Sequence, residues 1–140
     1  MKIKKTIAMA FGTFDIFHKG HEFYLKNAKK TADELIVIIA RDNNVKNIKG
    51  KQTHHNEKKR LNEVKKQKIA DLVVLGDKKD FYHPLKKYKP DILCIGYDQR
   101  AVKIDKEKLN LLGLKNTKIK RIQAYHPDKY KSSIIKKGMR

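Results

Sequence analysis

Two histidines three residues apart, His18 and His21, lie in the stretch Phe11-Gly12-Thr13-Phe14-Asp15-Ile16-Phe17-His18-Lys19-Gly20-His21. Each imidazole brings an N–H donor, and two at this spacing can aim at the oxygens of one phosphoryl group. The residues around them supply the setting. Ile7-Ala8-Met9-Ala10-Phe11 is an apolar run of the kind that fills a buried parallel strand, and Gly12 lets the backbone turn close to a ligand. A helix is predicted to begin near Gly20, and its unpaired N–H groups and dipole would face the same crevice. Strand, glycine turn and helix start together describe a phosphate site.

Positioning two such side chains requires a scaffold, and the chain carries the pattern of one. Apolar runs at 7–11, 35–40, 72–75, 91–95 and 119–122 alternate with helix-compatible segments at 22–30, 56–68, 106–112 and 132–137. Helix 22–30 turns Tyr24, Leu25 and Ala28 inward, whereas 56–68 offers a thin face of Leu61, Val64 and the stem of Lys68. This alternation predicts an α/β fold: a single Rossmann-like domain over 1–140, its parallel sheet covered by helices on both faces. Ligands of such sheets lie beyond the carboxyl ends of the strands, where the strand order reverses.

Four segments follow strands and so meet that requirement. The first is the histidine segment. The second, 41–51, is a long basic loop of the kind that acts as a lid, and Arg60 stands in the helix after it. The third is Gly96-Tyr97-Asp98-Gln99, where Asp98 either accepts from a ligand's donors or caps a helix. The fourth, Tyr130-Lys131-Ser132-Ser133, sets hydroxyls at a helix start, either as phosphate ligands or as plain caps.

Composition narrows the field. With 35 Lys and Arg against 15 Asp and Glu, the formal charge of +20 attracts polyanions and phosphorylated small molecules alike. Aromatic platforms between the basic residues, expected of a nucleic-acid module, do not stand out, so nucleic-acid binding is the non-enzyme rival. The apolar segments are too short for a membrane span or a signal sequence, and a cytoplasmic protein is expected. Cys94, within Ile92-Leu93-Cys94-Ile95, reads as a small buried hydrophobe. Adjacent His54 and His55 read as a solvated loop rather than a metal site, since neighbouring side chains diverge.

The segment from Gly12 to His21 resembles the first motif of the cytidylyltransferase-like nucleotidyltransferases, G-T-F-D-x-x-H-x-G-H, at every fixed position. That resemblance implies nucleotidyl transfer: a substrate phosphate attacks the α phosphate of a nucleoside triphosphate and pyrophosphate leaves. It implies catalytic contacts from His18 and His21 and nucleotide contacts from Gly12, Thr13, Phe14, Asp15, Gly20, Gly96, Asp98, Ser132 and Ser133. Phosphate contacts from Lys46, Lys49, Lys51, Arg60 and Lys131 are further candidates, with Arg60 at an E-x-x-R position whose alternative is a surface ion pair. Asp15 is expected to orient the turn or its water rather than hold a metal alone, no metal ligand set is expected, and Mg2+ should arrive with the triphosphate.

Further phrases, Ala40-Arg41-Asp42, Lys89-Pro90-Asp91-Ile92, Gly96-Tyr97-Asp98-Gln99 and Tyr130-Lys131-Ser132-Ser133-Ile134-Ile135, resemble the archaeal FMN-adenylylating branch. The branch implies ATP as donor, FMN as acceptor and a homodimer as assembly. Two departures from related cytidylyltransferases stand beside it: the hydroxyl run has only Ser132 and Ser133, and the arginine that shortly precedes it there is absent. A CTP-dependent glycerol-3-phosphate cytidylyltransferase is the rival within the fold.

Overall fold

The computed structural model describes residues 5–43, 45, 53–96 and 104–122. In chain order the elements are β1 (Ile7–Gly12), α1 (Lys19–Lys29), β2 (Glu34–Ile39), α2 (Glu57–Lys66), β3 (Leu72–Leu75), α3 (His83–Tyr88), β4 (Ile92–Gly96), α4 (Lys106–Leu111) and β5 (Lys118–Ile122). The strands form one parallel sheet in the order β3-β2-β1-β4-β5. The order reverses between β1 and β4, which places the ligand crevice there.

Side chains alternate across a strand, so each central strand feeds two cores. Ala8, Ala10, Leu35 and Val37 face one side with Leu25 and Ala28 of α1 and Val64 of α2. Met9, Phe11, Ile36, Ile38, Leu93 and Ile95 face the other with Leu85 of α3 and Leu109 of α4. Both faces are thus covered, as the uninterrupted apolar strands require. Truncating a fully buried leucine such as Leu25 to alanine costs about 2–5 kcal/mol in such a core. β5 closes one edge with Lys118, Lys120 and Arg121 exposed, charges that discourage edge-to-edge pairing.

At the amino ends, three aspartates that each precede a strand clamp a neighbouring one. Asp33 accepts from the Thr6 amide at 2.8 Å, Asp71 from the Leu35 amide at 2.7 Å and Asp91 from the Ile7 amide at 2.8 Å. Cys94 is fully buried, and burial pushes its thiol up from the ordinary value, in keeping with a packing role.

Several expectations shift. The buried face of α2 is Arg60 and Val64, with Leu61 half-buried, while Lys68 lies beyond the helix, exposed and at φ 56°. Asp42 and Asn43 are helical rather than open loop. α3 escapes a reading by apolar period because it has six residues and no side-chain cap; Pro84 in its first turn and left-handed Lys89 at its end are its marks. The segment 132–137 lies outside the described residues.

Candidate active site

β1 pairs with β4 only from Ala8–Ile92 to Ala10–Cys94, yet it pairs with β2 as far as Gly12–Ile39, and β4 with β5 as far as Gly96–Ile122. The two central strands therefore diverge before they end, with Gly12 and Gly96 as opposite rims of the gap. The histidine segment turns over the Gly12 rim and enters α1.

His18 is the N-cap of α1, in extended backbone, and its Nδ1 accepts from the Gly20 amide at 3.0 Å. His21 sits three residues on, and its Nδ1 accepts from the His18 amide at 3.3 Å, so each ring serves the other's turn in a histidine version of the capping box. A main-chain amide is always the donor, so both Nδ1 atoms are unprotonated and each neutral ring carries its proton on Nε2. The rings stack with centroids 3.7 Å apart. Phe14 meets the His21 ring edge-on at 5.3 Å and Phe17 lies 5.4 Å away, which fixes its orientation. The pair is thus an oriented set of Nε2 donors beside the positive end of the α1 dipole. Gly20, expected as a nucleotide contact, uses its amide to orient His18.

The turn itself is strained. Phe14 and Ile16 both adopt φ of 53°, a left-handed conformation that is a genuine outlier for the β-branched Ile16. Such strain persists only where surrounding contacts enforce it. One enforcer is Phe14, buried against Gly12 so closely that a Cβ on Gly12 would collide with the Phe14 ring. The missing Cβ at Gly12 thus admits the Phe14 ring. A second is Asp15, 3% exposed, whose carboxylate accepts the amides of His54 at 2.8 Å and His55 at 3.0 Å. Asp15 orients the turn as expected. It also explains the adjacent histidines: His54 is exposed and His55 half-buried, both held by their backbone.

Arg60 is the third, and its position differs from a phosphate contact. Its side chain is fully buried, Nε donates to the His55 carbonyl at 3.1 Å, Nη1 to the Thr13 carbonyl at 2.8 Å and Nη2 to Asp42 at 2.7 Å. The guanidinium spends its fork on the protein, behind the turn, because α2 carries Arg60 on its inward face. Its ion pair is one with a buried guanidinium rather than a surface pair. Asp42 and Glu57 exchange amide bonds, Asp42 N–H to Glu57 at 3.0 Å and Glu57 N–H to Asp42 at 3.1 Å. Arg41 then binds Glu57 at 2.8 Å and the Gly76 carbonyl at 2.7 Å. Burial draws Asp42 upward, but bonds from Arg60, the Glu57 amide and Thr53 outweigh it and hold the carboxyl below its ordinary value. Glu57 follows the same balance, with the Asp42 amide and Arg41 opposing burial.

This network, which joins the ends of β1, β2 and β3 to the start of α2, is not legible as a unit in the sequence. Its signal is nonetheless present in Arg41-Asp42 directly after a strand and Glu57-x-x-Arg60 at a helix start. Thr13 lies half-buried on the turn, and Gly96 is buried at the other rim. Lys46, Lys49, Lys51, Asp98, Lys131, Ser132 and Ser133 lie outside the described residues. Among the described residues no group of three or more His, Cys, Asp or Glu could hold a metal ion, and no helix is long and apolar enough to cross a membrane.

The chain is similar to known proteins. The chain is 40% identical over 130 residues to a FAD synthase of Thermoplasma volcanium, spanning 92% of this chain and 90% of the relative. It is 45% identical over 132 residues to a FAD synthase of Archaeoglobus profundus, spanning 92% and 83%. A crystal structure described as the lipopolysaccharide core biosynthesis protein of Thermoplasma volcanium superposes with a TM-score of 0.79 at 39% identity, over 87% of this chain and 99% of that one. The family model described as cytidylyltransferase-like matches residues 9–138, from the first strand through the histidine pair to the last segment. With the motif intact on the crevice rim and the match running nearly end to end, the chain belongs to the cytidylyltransferase-like family.

Proposed function

We propose that this nucleotidyltransferase moves the AMP moiety of ATP to FMN, giving FAD and pyrophosphate. The observation that carries the reading is the oriented His18–His21 pair at the switch point of a chain 40% and 45% identical to two FAD synthases over 92% of its length. A phosphate oxygen of FMN forms the new bond to the α phosphorus of ATP, and the bond from that phosphorus to the bridging oxygen of the β phosphate breaks. The attacking phosphate is already ionised, so no protein nucleophile or base is required; alignment and charge stabilisation suffice.

In this mechanism His18 and His21 donate through Nε2 to oxygens around the α phosphorus as charge builds there. The backbone at Gly12, Thr13 and Phe14 borders the phosphates, while Asp15 and Arg60 hold that turn in its strained form. We assign Gly96 and Asp98 to the nucleoside, Ser132 and Ser133 to the β and γ phosphates, and Lys46, Lys49, Lys51 and Lys131 to the phosphate charge. A magnesium ion arriving with the triphosphate would screen its negative charge. A cytoplasmic homodimer is the setting that the resemblance implies.

The lipopolysaccharide name of the solved relative favours a second reading, transfer to a different acceptor. Pyrophosphate release with magnesium, crossing ATP and CTP against FMN and glycerol 3-phosphate, decides between them. Release with ATP plus FMN alone, lost in His18→Ala, is expected. Release with CTP and glycerol 3-phosphate would move the chain to the cytidylyltransferase branch. Silence in every pairing, with salt-sensitive nucleic-acid binding, would favour the non-enzyme reading.

A further inference from the structure

We infer that Tyr24 is a positioning residue for the nucleotide, acting as a wedge that sets the width of the gap between β1 and β4. The inference rests on the proposed use of that gap by ATP. The central ladder stops at Ala10–Cys94, and the carbonyls at the fork belong to Cys94 and, one residue past the ladder, to Phe11. The Tyr24 hydroxyl reaches both: it donates to the Cys94 carbonyl at 2.9 Å and lies 3.5 Å from that of Phe11. A phenol thus takes the place of ladder bonds where the strands diverge. It joins the two sides of the fork at a fixed separation, one residue below the Gly12 rim and two below the Gly96 rim.

The other end of the same side chain explains why the fork width matters to the chemistry. The Tyr24 ring stacks on Phe14, with centroids 6.3 Å apart and planes 24° from parallel, and Phe14 in turn carries the edge of His21. One rigid side chain of α1 therefore registers the strand fork against the histidine pair. Its neighbours Leu25 and Ala28 do only core packing.

The test uses Tyr24→Phe, which keeps the ring and its stacking and removes only the hydroxyl. The comparison variant is Thr117→Val. The Thr117 hydroxyl also donates to a main-chain carbonyl, that of Pro90 at 2.6 Å, but at the amino end of the sheet, away from the gap. Calorimetry of the full chain with ATP and magnesium is measured beside steady-state turnover. Loss of one such bond corresponds to about fivefold in affinity, so Tyr24→Phe should raise the ATP dissociation constant and KM about fivefold while kcat stays within about twofold. Amide exchange at Gly12 and Gly96 should quicken with it. Thr117→Val should lower Tm comparably and leave ATP binding and exchange at the two rims unchanged. Wild-type ATP affinity in Tyr24→Phe, or equal weakening in Thr117→Val, would overturn the inference. Tight ATP binding without FAD formation would overturn the proposed acceptor and leave the wedge to be judged on the binding data; no ATP binding by the wild-type chain would overturn both.

Discussion

The two ends of the sheet tie their strands with carboxylates in opposite ways. At the amino end Asp33, Asp71 and Asp91 each hold a neighbouring amide from a place just before a strand, with the Thr6 hydroxyl added at Asp33 and the part-exposed Lys29 bonded to both Asp71 and the Asp33 carbonyl. At the carboxyl end the carboxylates of Asp42 and Glu57 are pooled with Arg41 and the buried Arg60, and Arg60 reaches Thr13, His55 and Asp42 at once. Exposed bonds of this kind are screened by solvent, and losing one costs little stability. A shared hub fails together, and the segment it releases is the strained turn that presents the histidines. The amino end is therefore a stability device, and the carboxyl end is a device for holding a site.

The largest effect expected from breaking this contrast lies at the site itself. His18→Ala should reduce turnover on the order of 100-fold or more, while losing about 1 kcal/mol of stability through the missing cap. Turnover and Tm measured on the same preparation check the split; a loss of stability that accounts for the whole loss of activity would remove the assigned role.

Next comes the hub. Arg60→Met leaves the Thr13 and His55 carbonyls and the Asp42 carboxylate without their shared partner, and breaking a buried charged network of this kind costs about 3 kcal/mol, somewhat less here because Asp42 is 44% exposed. Turnover should fall as well, since the turn after β1 loses its support. Arg60→Lys should not restore either, because an ammonium cannot supply three directed bonds. Recovery by lysine would show that charge alone matters.

Acid acts on both ends, since Asp33 and Asp71 are also held below their ordinary values, and a variant is needed to isolate the hub. Asp42 and Glu57 are held below their ordinary values in the folded protein, so their contribution is complete above the unfolded carboxylate range and is lost as pH falls through the folded values. Tm should be level from about pH 7 to about pH 5 and fall below about pH 4. In Arg60→Met the Asp42 carboxyl returns toward its ordinary value, and the acid limb of the Tm curve should become shallower. An unchanged limb would place the acid sensitivity elsewhere.

The smallest effect belongs to the amino end. Lys29 pairs with Asp71 at 2.6 Å, both partly exposed, and Lys29→Met should cost less than about 1 kcal/mol, shrink further in high salt and leave turnover untouched. A change in turnover there would mean that the two ends are coupled.

The amino-end clamps and the histidine segment are legible in the sequence to different degrees, for physical reasons. Asp71 and Asp91 stand directly before apolar residues and Asp33 one residue further back, a local pattern, although their amide partners escape a reading of the sequence because those belong to other strands or their starts. His18 and His21 are legible because the strand, turn and helix that hold them are contiguous. Arg60 looks like one more cation on a lysine-rich helix, and only its burial reveals that it faces inward. Gly12 reads as letting the backbone turn close to a ligand, and the structure adds that Phe14 fills the space a Cβ there would take.

The sequence by itself determined the alternation of strands and helices, the covering of the sheet on both faces and the strand-turn-helix setting of the histidine motif, because apolar period, helix starts and turn residues act over a few neighbouring positions. The tertiary structure alone decided the strand order, the divergence of β1 from β4 after Ala10–Cys94, the wedge at Tyr24 and the joining of Thr13 to Arg60. These are contacts between residues tens of positions apart, made only when the strands assemble side by side, and no local preference encodes their distances.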